Sequence, residues 1–306
     1  MRNLTLRHLR SIAAVHRNGK IVNAAKELGL TQPAVTLQLR DAESAVGTAL
    51  FDRTSEGMRP TAAGLAVVDA ANAIDERLRV LADEIDSIRG GRRGALRLGV
   101  VSTAKYFAPS IMSAFKRDHP ELEMTLWVGN RAETIECLKD HRIDIALMGR
   151  PPREVEVRTV LFGEHPLVII APTGHPLARA RGVAKERIAL ENFLVREPGS
   201  GTRISLEIFF SELSGRIDHL GVEMGSNETI KQAVMAGLGI ALISAHTIAL
   251  EVETKRLIVL DVEGLPIRRQ WFSVSRADRS LTPVMSSFED FLRKDGARFL
   301  PQVEGA

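Results

Sequence analysis

KIVNAAKELGLTQPAVTLQLRDAESA, residues 20–45, decides the reading of this chain. A short helix over Val22–Leu28 stops at Gly29, because glycine takes the left-handed turn that ends a helix. Thr31 then offers its side-chain oxygen to the first turn of a second helix. Pro33 lies in that turn, where a missing N–H breaks no helical bond. The periodicity turns Ala24, Ala25, Leu28, Leu30, Val35 and Leu39 inward and leaves Gln32, Thr36, Gln38 and Arg40 outside. Two short helices at a steep angle, the second with a polar outer face, make the helix-turn-helix pattern, and that second helix fits a DNA major groove. The alternative is an ordinary helical hairpin within a core.

The flanks agree with DNA binding. Leu6–Arg17 reads as a helix whose stripe of Leu6, Leu9, Ile12, Ala13 and His16 packs behind the pair. LFDRTSEGMRPT (50–61) anchors Leu50 and Phe51 and places Arg53 and Arg59 around a Ser-Glu-Gly turn. This reads as a β-wing whose arginines reach phosphates or a narrow minor groove, or else as a solvated turn. A long helix follows over Thr61–Arg89. Its Val67, Ala71, Ile74, Leu78, Leu81, Ile85 and Ile88 are spaced alternately four and three apart, a heptad seam that suits a second copy of the chain. Packing on the chain's own core is the other use of such a stripe. Gly90-Gly91-Arg92-Arg93-Gly94 reads as a hinge.

Charge is placed to match. Residues 1–60 hold nine Lys/Arg and five Asp/Glu, a net +4 against +3 for all 306 residues, so the remainder is about −1. The single Cys137 allows no internal disulfide and reads as a buried hydrophobe. There is no apolar run of membrane-spanning length, and MRNLTLRHLR lacks an apolar signal core, so a soluble cytoplasmic protein without a membrane partner is expected.

From residue 95 onward strands and helices alternate: ALRLGVV (95–101), LEMTLWV (122–128), IDIALM (143–148), LVIIAP (167–172), NFLVRE (192–197), HLGVEM (219–224), GIALIS (239–244) and RRQWFSVS (268–275). This pattern predicts an α/β fold with mostly parallel sheets, in two lobes. Ligands in such folds sit beyond strand ends, where helix N-termini point. Three stretches fit: Val101-Ser102-Thr103, Glu197 to Arg203 (which contains Ser200, Gly201 and Thr202), and Gly225 to Glu228 around Asn227. Hydroxyls and free N–H groups there suit an anion, with Lys105, Arg150 and Arg203 supplying charge. Taken singly, Ser102, Thr202 and Asn227 have a second reading as helix N-caps. The sequence contains no phosphate loop of the G-x-x-x-x-G-K-[ST] type, no G-x-S-x-G elbow and no His-Glu-x-x-His helix, so catalysis is not expected. An exported solute-binding protein would need a signal segment.

TQPAVTLQLRDAESAVGTALFDR (31–53) resembles the recognition helix and wing of the LysR-type transcriptional regulators, and the resemblance runs over essentially the whole chain. It implies a winged helix-turn-helix (1–60), a dimerising linker helix (61–91) and an effector domain like the periplasmic solute-binding proteins (92–306). Lobe I of that domain would be 92–162 with 267–306, and lobe II 163–266. VSTAKYFAP (101–109), GNRAETIECL (129–138), IDIALMGRPPRE (143–154), FLVREPGSGTR (193–203) and MGSNETIKQAVMAGLGIALIS (224–244) look like the CbbR subfamily, which controls Calvin-cycle operons. The resemblance implies a homotetramer that binds promoter DNA, works with RNA polymerase and needs no cofactor. Its effector would be a phosphorylated sugar, a related anionic metabolite or NADPH; the alternative is a regulator of another pathway sensing a non-phosphorylated acid. The resemblance assigns DNA contact to Gln32, Pro33, Thr36 and Arg53, beside the neighbouring Thr31, Leu37, Gln38, Arg40 and Arg59. It assigns the effector cleft to Ser102, Thr103, Thr202 and Arg203, with Asn130, Arg150 and Asn227 on adjacent loops. Thr36 and Leu37 depart from the family pattern of a serine and a polar or basic residue. Leu37 offers a base no hydrogen bond, only contact with a thymine methyl.

Overall fold

The structure, a computed structural model, describes residues 3–88, 94–212 and 221–303. It forms two compact units, Met1–Arg89 and Gly90–Ala306. The expected hinge residues 90–93, the side chain of Ile88 and positions 219 and 220 of an expected strand lie outside the described residues.

In the first unit α1 (Leu6–Asn18), α2 (Ile21–Leu28) and α3 (Gln32–Val46) surround one core. Ile12, Val15, Ala24, Val35, Leu39 and Ala42 fill it, closed by Leu50 and Phe51. Thr31 caps α3 by accepting from the Ala34 N–H, and Pro33 occupies its first turn, as the sequence requires. Strands β1 (Phe51–Thr54) and β2 (Gly57–Pro60) form an antiparallel hairpin, so the wing is a true β-hairpin. Helix α4 (Ala62–Ile88) follows. Its Val67, Val68 and Ala71 join the same core. Two residues expected to face inward do not: Leu6 and Leu30 are exposed. Leu6 opens α1, and Leu30 closes the end of α2 with its backbone, donating N–H to the Ala25 carbonyl at 2.9 Å, while its side chain points out.

In the second unit the elements run β3 (Ala95–Val101), α5 (Ala108–Asp118), β4 (Glu123–Gly129), α6 (Arg131–Lys139), β5 (Ile145–Met148), β6 (Val157–Pro172), α7 (Lys185–Ile188), β7 (Leu194–Arg196), α8 (Gly201–Phe209), β8 (Val222–Met224), α9 (Asn227–Met235), β9 (Ala241–Ser244), α10 (Ala249–Glu253), β10 (Leu257–Val259), β11 (Ile267–Arg276) and α11 (Pro283–Asp295). Among the described residues one sheet has the order β10-β6-β11-β5-β3-β4, with β9 also on β6; a second pairs β7 with β8.

The large sheet is mixed rather than mostly parallel. β4, β3 and β5 are parallel, but β11 runs antiparallel to β5 and β6, and β9 and β10 run antiparallel to β6. The cause is the crossing. β6 carries the chain out of one lobe through 16 residues, and β11 brings it back beside β6. The sequence shows only the far half of β6, because His165-Pro166 interrupts the run and proline demotes a strand. Phe162 packs into the first lobe with Leu98, Ile111, Trp271 and Phe288. Leu167 and Ile169 pack into the second with Leu206, Ile240 and Leu242, and the alternate residues Val168 and Ile170 cover the opposite face. Cys137 is buried among Ile135, Leu138 and Met148, and burial pushes its thiol pKa up, as suits an inert packing residue.

Candidate functional site

Two surfaces gather the chemistry, one on each unit. On the first, the starts of α2 and α3 and the wing border one groove. Lys20, Gln32, Thr36 and Arg53 line it beside Ser55 and Gly57. The wing is fixed there by backbone. The Met58 N–H donates to the Gly19 carbonyl at 2.7 Å, and Gly57 (φ +141°) lies so near that a Cβ would come within 2.2 Å of that oxygen. Thr31, Gln32, Pro33, Leu37, Arg40, Arg53 and Arg59 are exposed, and Thr36 is half-buried with its hydroxyl donating to the Gln32 carbonyl. Gln38 departs from expectation: its side chain turns inward and accepts a hydrogen bond from Ser11, which is buried and needs a partner.

The α4 seam divides. Val67 and Ala71 are buried in their own unit's core, whereas Ile74, Leu78, Leu81 and Ile85 are 38–48% exposed along one stripe.

On the second unit, an open space lies between the lobes. Ser102 and Thr103 after β3, Asn130 and Arg131 at the start of α6, and Gly149 and Arg150 after β5 line it from one lobe. Ser200, Gly201 and Thr202 at the start of α8 line it from the other, and His165 and Arg269 enter from the crossing strands. The true caps of these helices are Asn130, which accepts from the Glu133 N–H at 3.0 Å, and Ser200, which accepts from the Thr202 N–H at 3.3 Å. Two helix N-termini with their positive dipole ends therefore border the space.

Three expected effector residues lie elsewhere. Lys105 is spent on Glu228, at 2.7 Å. Arg203 pairs with Glu207 and Glu223 and donates to the Arg196 carbonyl. Asn227 accepts from Arg196 at 2.5 Å. In each case a nearby partner outcompetes the open space. Lys105 with Glu228 instead ties the two lobes together, whereas Arg203 and Asn227 are held within the second lobe. Arg196, 3% exposed, also holds Glu197 in two charge-assisted bonds and reaches Ser102 at 3.3 Å. The Tyr106 hydroxyl donates to Glu228 at 2.5 Å. Burial alone would raise the Glu228 carboxyl pKa, but the bonds from Lys105 and Tyr106 hold it below the usual range. The Tyr106 phenol is pushed far up by burial and by that carboxylate.

Three ionisable lining residues had not been expected: Arg131, His165 and Arg269. Arg131 carried a signal, since a cation in the first helical position opposes the helix dipole, and such local conflicts mark functional places. Burial lowers its pKa, Glu154 opposing and Arg150 adding to the shift. Burial lowers that of Arg269, helped by Arg150 and Arg131. His165 stacks on Trp271 with centroids 4.0 Å apart, and the Trp271 indole donates to His246 Nδ1 at 3.0 Å. Burial first, then His246 and Arg269, pushes the His165 pKa well down, and burial takes His246 to about 4, so both rings are neutral at pH 7. Among the described residues no group of three or more His, Cys, Asp or Glu is arranged to hold a metal ion, and no helix is long and apolar enough to cross a membrane.

Residues 6–65 match the family described as bacterial regulatory helix-turn-helix protein, lysR family, and residues 89–297 match the LysR substrate binding domain. The chain is 61% identical over 303 residues to the HTH-type transcriptional regulator CbbR of Rhizobium meliloti, covering 99% of this chain and 97% of that one. It is 44% identical over 296 residues to the RuBisCO operon transcriptional regulator of Allochromatium vinosum, covering 97% and 98%. The regulatory domain of Synechocystis CcmR, solved in complex with 2-PG, superimposes with a TM-score of 0.61 at 33% identity, covering 65% of this chain and 96% of that one. Full-length CbnR on its target DNA shares the fold, with a TM-score of 0.64 at 20% identity over 95% and 99% of the two chains. Matched along both of its units, the chain belongs to the LysR family of bacterial transcriptional regulators.

Proposed function

We propose that this LysR-type regulator controls carbon-fixation operons, including that of RuBisCO, and answers a small anionic metabolite bound between the lobes of its second unit. The observation that carries the reading is the convergence there of two helix N-termini, the hydroxyls of Ser102, Thr103, Ser200 and Thr202, and Arg150. The two relatives named for CbbR and the RuBisCO operon, and the 2-PG held by CcmR, support the choice of pathway and ligand chemistry. Residues 1–60 read promoter DNA, 61–91 pair two copies, and 92–306 sense the ligand. The regulator works on promoters in the bacterial cytoplasm as a tetramer and hands the signal to RNA polymerase.

The groove around Gln32, Thr36 and Arg53 lies against DNA in this reading, with Thr31, Pro33, Leu37 and Arg40 on the same helix and Arg59 on the wing. Gln32, exposed at the start of α3, has the amide that pairs with a base edge. Gln32→Ala is expected to cost about 1–3 kcal/mol on the preferred operator and to flatten discrimination among operator variants. A gel-shift series over single base-pair changes checks this, and unchanged discrimination would remove Gln32 from base readout. Arg53→Ala is expected to weaken binding to all sequences alike and to reduce the slope of log affinity against log salt by about 1. An unchanged slope would remove Arg53 from the phosphates.

The assignment to carbon fixation is tested by nuclease protection on a RuBisCO-operon promoter and on a promoter of an unrelated pathway. Protection of the first alone is expected. Equal protection of both, or of neither, would leave a LysR regulator with a different operon.

A further inference from the structure

The inference concerns the ligand class of the cavity and rests on its reading as the effector site. We propose that Arg131 and Arg269 join Arg150 in making the cavity selective for a compact ligand with two or more negative charges, and that His165 supplies the ring nitrogen that completes the contact.

Three guanidinium groups from three separate elements line one space: Arg131 at the start of α6, Arg150 after β5 and Arg269 on β11. Among the described residues, neither the Arg150 nor the Arg269 guanidinium makes a hydrogen bond or ion pair, and the Arg131 guanidinium donates to the Pro151 carbonyl, at 3.2 Å. Half-buried cations gathered without counter-charge cost the empty protein stability, which a ligand restores when it neutralises them. Two carboxylates beside the cluster, Glu154 and Glu164, do not fill that role. Glu154 acts on Arg131 from an exposed position, and Glu164 is bonded to Arg268, at 3.0 Å. A monoanion leaves most of the positive charge standing, whereas a dianion or trianion approaches balance.

His165 is the independent sign of a missing ligand. It is 7% exposed and lines the cavity, yet neither ring nitrogen has a hydrogen-bond partner. Buried polar groups without partners are rare in native proteins and call for an explanation. His165 stands opposite Arg269 in the β6–β11 register, so the two side chains share a face of the sheet. Burial chiefly keeps the ring neutral, helped by His246 after β9 and Arg269 on β11, and the other charged groups lining the cavity, Arg150 after β5 and Arg131 on α6, are cationic as well. A bound dianion reverses the local potential and brings a proton onto the ring.

Isothermal titration of the full chain at pH 7 with sulfate and pyrophosphate, against nitrate and acetate at matched ionic strength, tests the proposal. The dianion and pyrophosphate are expected to bind at least tenfold more tightly than the monoanions. Sulfate does not itself titrate near pH 7, so repeating its titration in two buffers of different ionisation enthalpy reads proton uptake by the protein. Uptake is expected in the parent and absent in His165→Gln. Arg269→Gln is expected to lower pyrophosphate affinity at least tenfold. It should melt at the parent's temperature or above it when unliganded, because it relieves repulsion, which a merely structural arginine would not do. Equal binding of sulfate and nitrate overturns the proposal, as does an Arg269→Gln variant with parental affinity. If 2-PG binds the parent and Arg269→Gln alike, the arginine cluster fails while the effector reading stands. If 2-PG and both polyvalent anions all fail to bind the parent, the effector reading fails with it.

Discussion

Replacing Leu78 and Leu81 together by glutamate is expected to separate the copies of this chain and to reduce operator affinity by about 10²- to 10⁴-fold. Two linked DNA readers bind the second half-site at the high effective concentration set by their tether, and that gain disappears when the pair is broken. The magnitude follows from where the stripe points. Val67 and Ala71 are buried in the core of their own unit, but Ile74, Leu78, Leu81 and Ile85 continue the same 4-3-4 spacing while exposed, leaving four aliphatic side chains in water on a 27-residue helix. An apolar stripe at heptad spacing is covered by a second helix with the same stripe, and paired glutamates within it repel their symmetry mates. Sedimentation analysis checks the assembly and gel shift the affinity. A variant that stays dimeric and keeps its affinity would place the interface elsewhere.

Asp144→Ala is expected to destabilise the second unit by about 3–5 kcal/mol, the cost of leaving buried charges without their partner. Asp144 is 1% exposed. It accepts from the Arg97 N–H and guanidinium, each at 2.7 Å, and from the Arg279 guanidinium at 2.8 Å. Removing the carboxylate takes an acceptor from Arg279, itself 6% exposed, and the bonds that join Arg97 of β3 to the segment entering β5. Both tryptophans, Trp127 and Trp271, lie in the second unit, so fluorescence during denaturant unfolding reports on that unit. A midpoint within about 0.5 kcal/mol of the parent, the range of ordinary surface changes, would show that the cluster is not structural.

What the sequence made legible was local. Thr31, Pro33 and Gly29 set the ends of α2 and α3 through capping and backbone preference alone, and the wing followed from the Ser-Glu-Gly turn. The seam of α4 was legible as a spacing, but its division was not, because only the packed core shows that Val67 and Ala71 already have partners. In the second unit, strand positions were legible from apolar runs, whereas their direction depended on β6 and β11 meeting across roughly a hundred residues of chain. The same distance hid Arg269 and His165, which become neighbours only through that register. Lys105, Arg203 and Asn227 have the right chemistry for an anion, yet they are bonded to Glu228, to Glu207 with Glu223, and to Arg196, and do not line the cavity. Residue type gave the chemistry of the cleft, and tertiary pairing decided which residues were left to supply it.

In the proposed function, an anion held between the lobes changes how the regulator grips DNA. An effector shifts a population of states only by its differential affinity for them, so two DNA-bound states are expected. The most direct measurement is the length of nuclease protection and the DNA bend angle on the RuBisCO-operon promoter, with and without 2-PG or ribulose bisphosphate. A protected region that shortens, or a bend that relaxes, on adding either ligand is the predicted result. Protection and bend that stay constant at saturating concentrations of both, with promoter affinity intact, would contradict it.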